Sequence, residues 1–301
     1  MKIPHVPVLK DEVVELFQDI KDGYIVDCTV GYGGHSEAIL MSNPNIKLIC
    51  IDQDDEALAF SKKRLSSFKD RVIFKKGRFS KVISSLSEYE LRGVLADIGI
   101  SSLQIDKEER GFCFNSSKLD MRMDQTSELS AYDVVNRYSS SDLERIFYEY
   151  GDIKEFKKLA SLVVKNRPIN SAKSLSSLIA KNFRSKKIHP ATLAFQAIRI
   201  EVNSELEELQ TLLENLNNLN KSNLLVAIIT FHSLEDKIVK RTFQKWSKSC
   251  ICPPDIFRCV CGANHKRGDI LIKKPIIPKG AEIARNKRAR SSKLRAFRFK
   301  E

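Results

Sequence analysis

Three aspartates, Asp27, Asp52 and Asp97, each close a run of apolar, strand-like sequence. A glycine turn follows the first of them: Gly31, Gly33 and Gly34, then His35. Glycines spaced this way let the backbone turn tightly and admit a ligand to close range. A carboxylate ending the second strand stands at the offset where ribose hydroxyls are gripped. On these features alone a nicotinamide dinucleotide and S-adenosylmethionine fit equally. The spacing Gly-Tyr-Gly-Gly-His, however, lacks the third glycine that a pyrophosphate turn would carry at position 36. Asp27 and Asp97 would repel a pyrophosphate but balance the ammonium and sulfonium of S-adenosylmethionine. Structural readings compete: Asp27 as a turn cap, and Asp52 as the N-cap of the next helix, although Asp54 or Asp55 can serve there.

The elements that must position these groups alternate. Residues 24–31 read as a strand, and a helix follows from His35 to Met41, ending before Pro44. "KLICID" is a second strand, and a helix spans about 55–68. "VIFKKGRF" is a third strand running to Phe79, and "RGVLADIG" a fourth, ending near Asp97. Strand–helix alternation argues for a parallel, doubly wound sheet. The next strongly apolar strand, "LLVAIITF", begins only at Leu224. A crossover needs about a dozen residues, so the intervening segment, helical in its periodicity, reads as an inserted domain. The expected organisation is a sheet domain of residues 1–104 and 215–301 with a helical insert of 105–214. Two further strands, near 270–277 and 293–299, close the sheet, which suits a seven-stranded methyltransferase sheet better than a six-stranded dehydrogenase one.

Charge points to a partner. The chain carries +13, and Lys273 to Lys300 holds eleven Lys/Arg against one acid, Glu282. A concentrated basic segment with strand-like apolar residues implies a polyanion such as nucleic acid. The longest clean apolar run, Leu224 to Phe231, is too short to span a bilayer. Residues 1–5 lack the apolar stretch of a signal segment, and seven cysteines suit reduced thiols. Together these give a cytoplasmic reading. Cys250, Cys252, Cys259 and Cys261 form two C-x-C pairs with His265 nearby. Four thiols in one loop suggest zinc, but the spacing is tighter than the usual structural knuckle, and the sequence assigns no metal.

Other motifs admit two uses. In "LDMRMD", Asp120, Arg122 and Asp124 share one face if extended, for substrate contact or for an ion-pair latch. In "FHSLED", Ser233 and Asp236 resemble a capping box. Phe231 and His232 stand at the carboxyl end of the fifth strand, where a flipped base could stack. Gln196, Arg199 and Asn203 form a polar stripe on a long helix, facing either RNA or the core.

The motifs "VDCTVGYGGHSEAIL", "IDQD", "ADIGISSLQIDKEERGFCF", "LDMRMD", "HPATLAFQAIRIEVNSELEEL", "TFHSLEDKIVKRTF" and "NKRARSSKLRAF", in this order, resemble the bacterial RsmH (MraW) methyltransferases over nearly the whole chain. The resemblance implies a class I, Rossmann-like α/β methyltransferase with a seven-stranded, mostly parallel sheet and an inserted all-helical domain. It implies methylation of the exocyclic N(4) of a cytidine in 16S rRNA within the small ribosomal subunit, with S-adenosylmethionine as donor; the apolar runs call for no membrane, and the sequence leaves room for a homodimer. It implies cofactor contacts by Gly33, Gly34, His35, Asp52, Phe79, Asp97 and Gln104, with Asp97 the candidate catalytic group. Candidate substrate contacts are Asp120, Arg122, Asp124, Phe231, His232, Arg288, Arg290 and Arg295. "GFCF", "YGDI" and "ARNKRAR" depart from the family pattern outside that pocket. Competing functions are a DNA amino-methyltransferase, disfavoured because no Asn/Asp-Pro-Pro-Tyr follows the fourth strand, and a catalytically silent RNA-binding assembly factor.

Overall fold

The computed structural model describes residues 7–185, 188–219, 221–253 and 255–300, leaving aside the side chains of residues 102 and 103. The N-terminal stretch read for a signal segment lies outside the described residues. By contacts the chain forms two units, Met1–Gly99 with Glu208–Glu301, and Ile100–Glu207.

The first unit is built on seven strands: β1 (Gly23–Asp27), β2 (Ile46–Asp52), β3 (Val72–Lys76), β4 (Leu91–Asp97), β5 (Leu225–Thr230), β6 (Gly268–Ile270) and β7 (Lys293–Phe299). Their order is β3-β2-β1-β4-β5-β7-β6. The first five are parallel, and β7 runs antiparallel to both of its neighbours. Alternate residues feed two apolar layers. Ile25, Leu48, Leu95 and Ile229 enter one, with Val13 and Phe17 of α1 (Lys10–Phe17) and Ile39 and Leu40 of α2 (Gly34–Ser42). Val26, Ile49, Val94 and Ile228 enter the other, with Phe243 and Trp246 of α12 (Ser233–Trp246). Every residue of β5 is buried, as expected of a strand covered on both faces.

Four boundaries differ from the periodicity, the first being β1, which ends at Asp27 and not at residue 31. β3 stops at Lys76 because Gly77 turns at φ 145°, and Phe79 opens α4 (Phe79–Ser84). The helix read over about 55–68 is α3 (Asp55–Arg64), and a 3-10 turn follows it. β6 covers three residues, and beyond it Ile276 meets Leu294 through one bridge, since Pro275 and Pro278 cannot donate to a ladder.

The second unit is helical: α5 (Ser102–Asp106), α6 (Ala131–Arg137), α7 (Ser140–Glu149), α8 (Phe156–Lys165), α9 (Ala172–Asn182) and α10 (Thr192–Asn203). Reciprocal Ser130–Asp133 and Ser139–Asp142 boxes start α6 and α7. The next helix, α11 (Glu205–Asn218), sends Leu209, Leu212, Leu213 and Leu216 into the layer under the sheet. The chain therefore rejoins the first unit at Glu208, earlier than the joint read after residue 214.

"LDMRMD" alternates as expected, with Leu119, Met121 and Met123 buried and Asp120, Arg122 and Asp124 half-exposed. It is nonetheless not a plain strand, for Met121 takes φ 58°. Two polar side chains hold it. Arg110, 1% exposed, donates to the carbonyls of Arg122 and Met123 at 3.0 Å each. Asn203 accepts from Met123 N and donates to Met121 O, both at 2.8 Å. With Gln196 donating to Tyr150 O and Arg199 paired bidentately with Glu205, the polar stripe of α10 faces protein, not solvent. Replacing Asn203 by Ala would remove both of its hydrogen bonds to this buried segment. We expect a loss of about 2–3 kcal/mol of stability, read by urea denaturation; an unchanged midpoint would show that the clamp contributes nothing.

Candidate active site

Strand order reverses between β1 and β4, and open α/β sheets take ligands at the carboxyl ends of strands flanking such a point. Beyond β1 the chain turns through Gly33, the N-cap of α2, at φ 73°, a left-handed conformation that glycine adopts without steric cost. Asp27 is 1% exposed. It accepts from Ser36 Oγ at 2.6 Å and from Thr29 N at 3.2 Å. Both oxygens hold the turn against α2, the turn-cap role that the sequence allowed. Burial pushes its carboxyl above the usual range, against the Ser36 hydroxyl, His35 and the Thr29 amide.

His35, in the first turn of α2, is buried, with Nε2 3.5 Å from Asp97 Oδ2. Asp97 is held through its backbone, its N–H donating to Thr29 Oγ1 at 2.8 Å. Thr29 thus ties the end of β4 to the turn after β1, a role that periodicity does not signal. Among the described residues, no hydrogen-bond partner meets the buried ring nitrogens of His35 or Oδ1 of Asp97. Buried polar atoms are nearly always paired, and an imidazole carries at least one N–H, so these three fit ligand groups that both donate and accept hydrogen bonds.

Asp52 ends β2 beside this turn. It accepts from Gly31 N at 2.9 Å and from Asp54 N at 3.0 Å, which orients the carboxylate and leaves lone pairs for two further donors. Asp54, not Asp52, caps α3. Burial pushes Asp52 up to about 6, opposed by the Asp54 and Gly31 amides and reinforced by the Asp54 and Asp27 carboxylates. Gly77 N donates to Asp52 O at 2.9 Å, which sets the exit of β3 alongside; two residues on, Phe79 presents a half-buried ring. Gln104 belongs to the helical unit, where its Oε1 accepts from Ser101 N at 3.0 Å.

Around β5 the arrangement departs from expectation. Phe231 packs so close to Gly99 that a Cβ there would lie 2.9 Å from the ring. Glu235 accepts from Phe231 N and His232 N at 2.8 and 3.2 Å, and His232 caps α12 in return. The box is therefore His232–Glu235, one residue before the expected Ser233–Asp236. Asp236 is engaged elsewhere, by Arg295 Nε at 2.6 Å and Nη2 at 3.2 Å. Burial would raise Asp236, but the Arg295 guanidinium and Lys293 hold it below the usual range. Arg295 is 7% exposed, so the expected phosphate contact is corrected: β7 turns this residue inward to a structural ion pair. Arg288 and Arg290 lie exposed on the turn Lys287–Ser291. Phe231, His232, Arg290 and Lys293 line one cleft of about 310 Å³.

In the helical unit Arg122 pairs with Asp120 at 2.7 Å and donates to the carbonyls of Gln125 and Ser127. Asp124 accepts from the N–H and hydroxyl of Thr126. Asp120 and Arg122 line a cleft of about 530 Å³ together with Lys118 and Asp133.

The profile of the MraW methylase family matches residues 2–300. The chain belongs to the MraW methylase family. Its curated relatives include Ribosomal RNA small subunit methyltransferase H of Aliarcobacter butzleri, 60% identical over 99% of this chain and 100% of that protein. The protein of the same name from Nitratiruptor sp. is 57% identical over 100% of both chains. That of Campylobacter jejuni subsp. jejuni (strain 81-176) is 51% identical over 99% and 98%. Among solved structures, a rRNA methylase from Streptococcus thermophilus is similar at 10% identity and a TM-score of 0.40, over 96% of this chain and 95% of that one. For this member of the MraW family it is the strand order, not that likeness, that defines the Rossmann-like fold.

For this MraW-family chain, Asp52→Ala should weaken S-adenosylmethionine binding by about 1.5–3 kcal/mol, the loss of charge-assisted bonds, as read by calorimetry. Only the ionised carboxylate accepts two hydroxyls, so wild-type affinity should be level above neutrality and decline as pH falls through about 6. Below that point the decline should approach about tenfold per unit and should vanish in the variant. Unchanged affinity in a folded variant would remove Asp52 from the site.

Proposed function

We propose that this protein carries a methyl group from S-adenosylmethionine to the exocyclic N(4) of a cytidine in 16S rRNA. It is an S-adenosylmethionine-dependent rRNA methyltransferase. The observation that carries the residue assignment is the convergence of His35, Asp52 and Asp97 at the β1–β4 switch point, where buried polar atoms of His35 and Asp97 meet no hydrogen-bond partner among the described residues. Asp52 would accept the ribose hydroxyls, Phe79 would pack by the adenine, and Gly33, Gly34 and His35 would enclose the methionine end. Bound there, the donor supplies a methyl carbon activated by its sulfonium.

The chain's own task is positioning. Holding nucleophile and methyl in line removes much of the entropic barrier. The cytosine amine is a poor nucleophile because its lone pair is delocalised into the ring. A carboxylate that accepts its hydrogens helps localise that pair and stabilises the charge that develops. Asp97, at the end of β4, would take this role, its buried Oδ1 meeting no hydrogen-bond partner among the described residues. Phe231 would stack the flipped base, which must be unpaired for its amine to be reached. No covalent cysteine is required: Cys28 and Cys50 are buried and their thiols are pushed up, chiefly by burial.

The partner we favour is the small ribosomal subunit. Exposed Arg288 and Arg290 share one short turn, and Arg290 borders the cleft that holds Phe231, so phosphate anchoring and base stacking lie side by side. Asp120, Arg122 and Asp124 are proposed as further substrate contacts from the helical unit. No helix among the described residues is long and apolar enough to cross a membrane.

Small-subunit particles lacking the modification should gain N(4)-methylcytidine, seen by nucleoside mass spectrometry, when wild-type protein and donor are added. Asp97→Asn should slow single-turnover transfer by about a hundredfold or more with RNA binding intact; a near-normal rate would make Asp97 structural. Neutralising Arg288 and Arg290 together should lower the log–log salt slope of particle binding by about 0.7–0.9 per lost contact. Identical slopes would show that neither arginine touches phosphate.

A further inference from the structure

The segment between α12 and β6 uses none of the chemistry above. From Ser247 to Arg267 no described residue is buried, and Ile251, Phe257 and Val260 are exposed. A stretch this long without regular structure or a core of its own calls for another source of order. Yet its four cysteines converge: the Sγ atoms of Cys250, Cys252, Cys259 and Cys261 all lie within 4.8 Å of one another. Cys259 and Cys261 are 3.5 Å apart, and Cys261 and Cys250 3.7 Å. These separations exceed a covalent S–S bond. They match the edge of a tetrahedron of sulfurs about 2.3 Å from one zinc ion, which is about 3.8 Å.

The backbone supports that arrangement. The middle residue of each C-x-C pair serves the other pair: Ile251 N–H is directed at Cys261 Sγ at 3.5 Å, and Val260 N–H at Cys252 Sγ at 3.4 Å. Amides aimed at sulfur stabilise thiolates, the form that binds metal. After Cys261 the chain reverses through Gly262 and Ala263, both at positive φ. His265 then closes the loop base, its N–H donating to Ser249 O at 3.0 Å and its Nε2 lying 2.9 Å from Cys261 O. The converging ligand atoms are the four thiols, without His265. The tightness of C-x-C, an objection on sequence spacing alone, is met by the fold, because each pair spans one tetrahedral edge.

We infer that Cys250, Cys252, Cys259 and Cys261 bind one divalent zinc ion as a structural tetrathiolate site. Four thiolates exclude an open coordination position for substrate or water, so the ion orders the loop and takes no part in methyl transfer. A cluster of several irons is disfavoured, since it would spread its thiolates over separate metal atoms.

The full chain, purified without chelator and desalted, should carry about one zinc per molecule by elemental mass spectrometry. Cys259→Ser with Cys261→Ser should bring the ratio to near zero, while Cys113→Ser, outside the loop, should retain it. Wild-type protein needs no mutation for a second reading: four thiols should resist a thiol reagent until a strong chelator is added. Replacement by cobalt should give the visible spectrum of a tetrahedral thiolate centre. The inference is overturned if reduced wild-type protein holds no zinc and takes up none on titration, if iron stands in its place, or if intact mass shows two disulfides in freshly purified protein.

Discussion

Everything at the candidate site hangs on a buried carboxylate. Asp27 ends β1 with almost no exposure and divides its oxygens between Thr29 N and Ser36 Oγ. Isolated, such a charge would be costly; satisfied, it fixes the path of the turn. Thr29, held by Asp27, takes the Asp97 amide, and Gly31, two residues on, donates to Asp52. Three strand ends are thereby locked in register around one turn. The spacing of Asp52 and Asp97 is then set by backbone, not by flexible side chains.

Much of this was legible before any coordinates. Apolar runs ending in aspartate, glycines and the long helical interruption mark strand ends, turn and insert, because burial periodicity and backbone sterics act locally. What was not legible is which partner covers a polar residue. Arg295 reads as one more cation in a basic tail, yet β7 lies between β5 and β6 and turns it onto Asp236. Asp236 reads as a capping residue, yet that ion pair takes it and leaves the cap to His232 and Glu235. The stripe on α10 has solvent-like composition, yet Asn203 and Arg199 are consumed by "LDMRMD" and Glu205. Each case depends on a contact far along the chain, and local pattern carries no record of it.

The basic segment accordingly does two jobs. Lys293 and Arg295 neutralise Asp236 inside the fold, and Glu282 accepts from Leu9 N at 2.8 Å to fasten the start of α1. Arg288 and Arg290 stay on the surface. Net charge alone overstates the cations free for RNA, since part of it has been drawn into packing.

The position of β7 has a consequence for how the protein is made. Its neighbour β5 ends at Thr230, and β7 begins at Lys293. During synthesis β5, wholly apolar apart from its final Thr230, leaves the ribosome with one edge bare until β7 follows. An unpaired apolar edge invites pairing with other chains. The helical unit, contiguous from Ile100 to Glu207, has no such wait and can close first. Until its inner strand arrives the nascent sheet keeps that edge open, so the yield of folded enzyme should depend on translation rate and chaperone access.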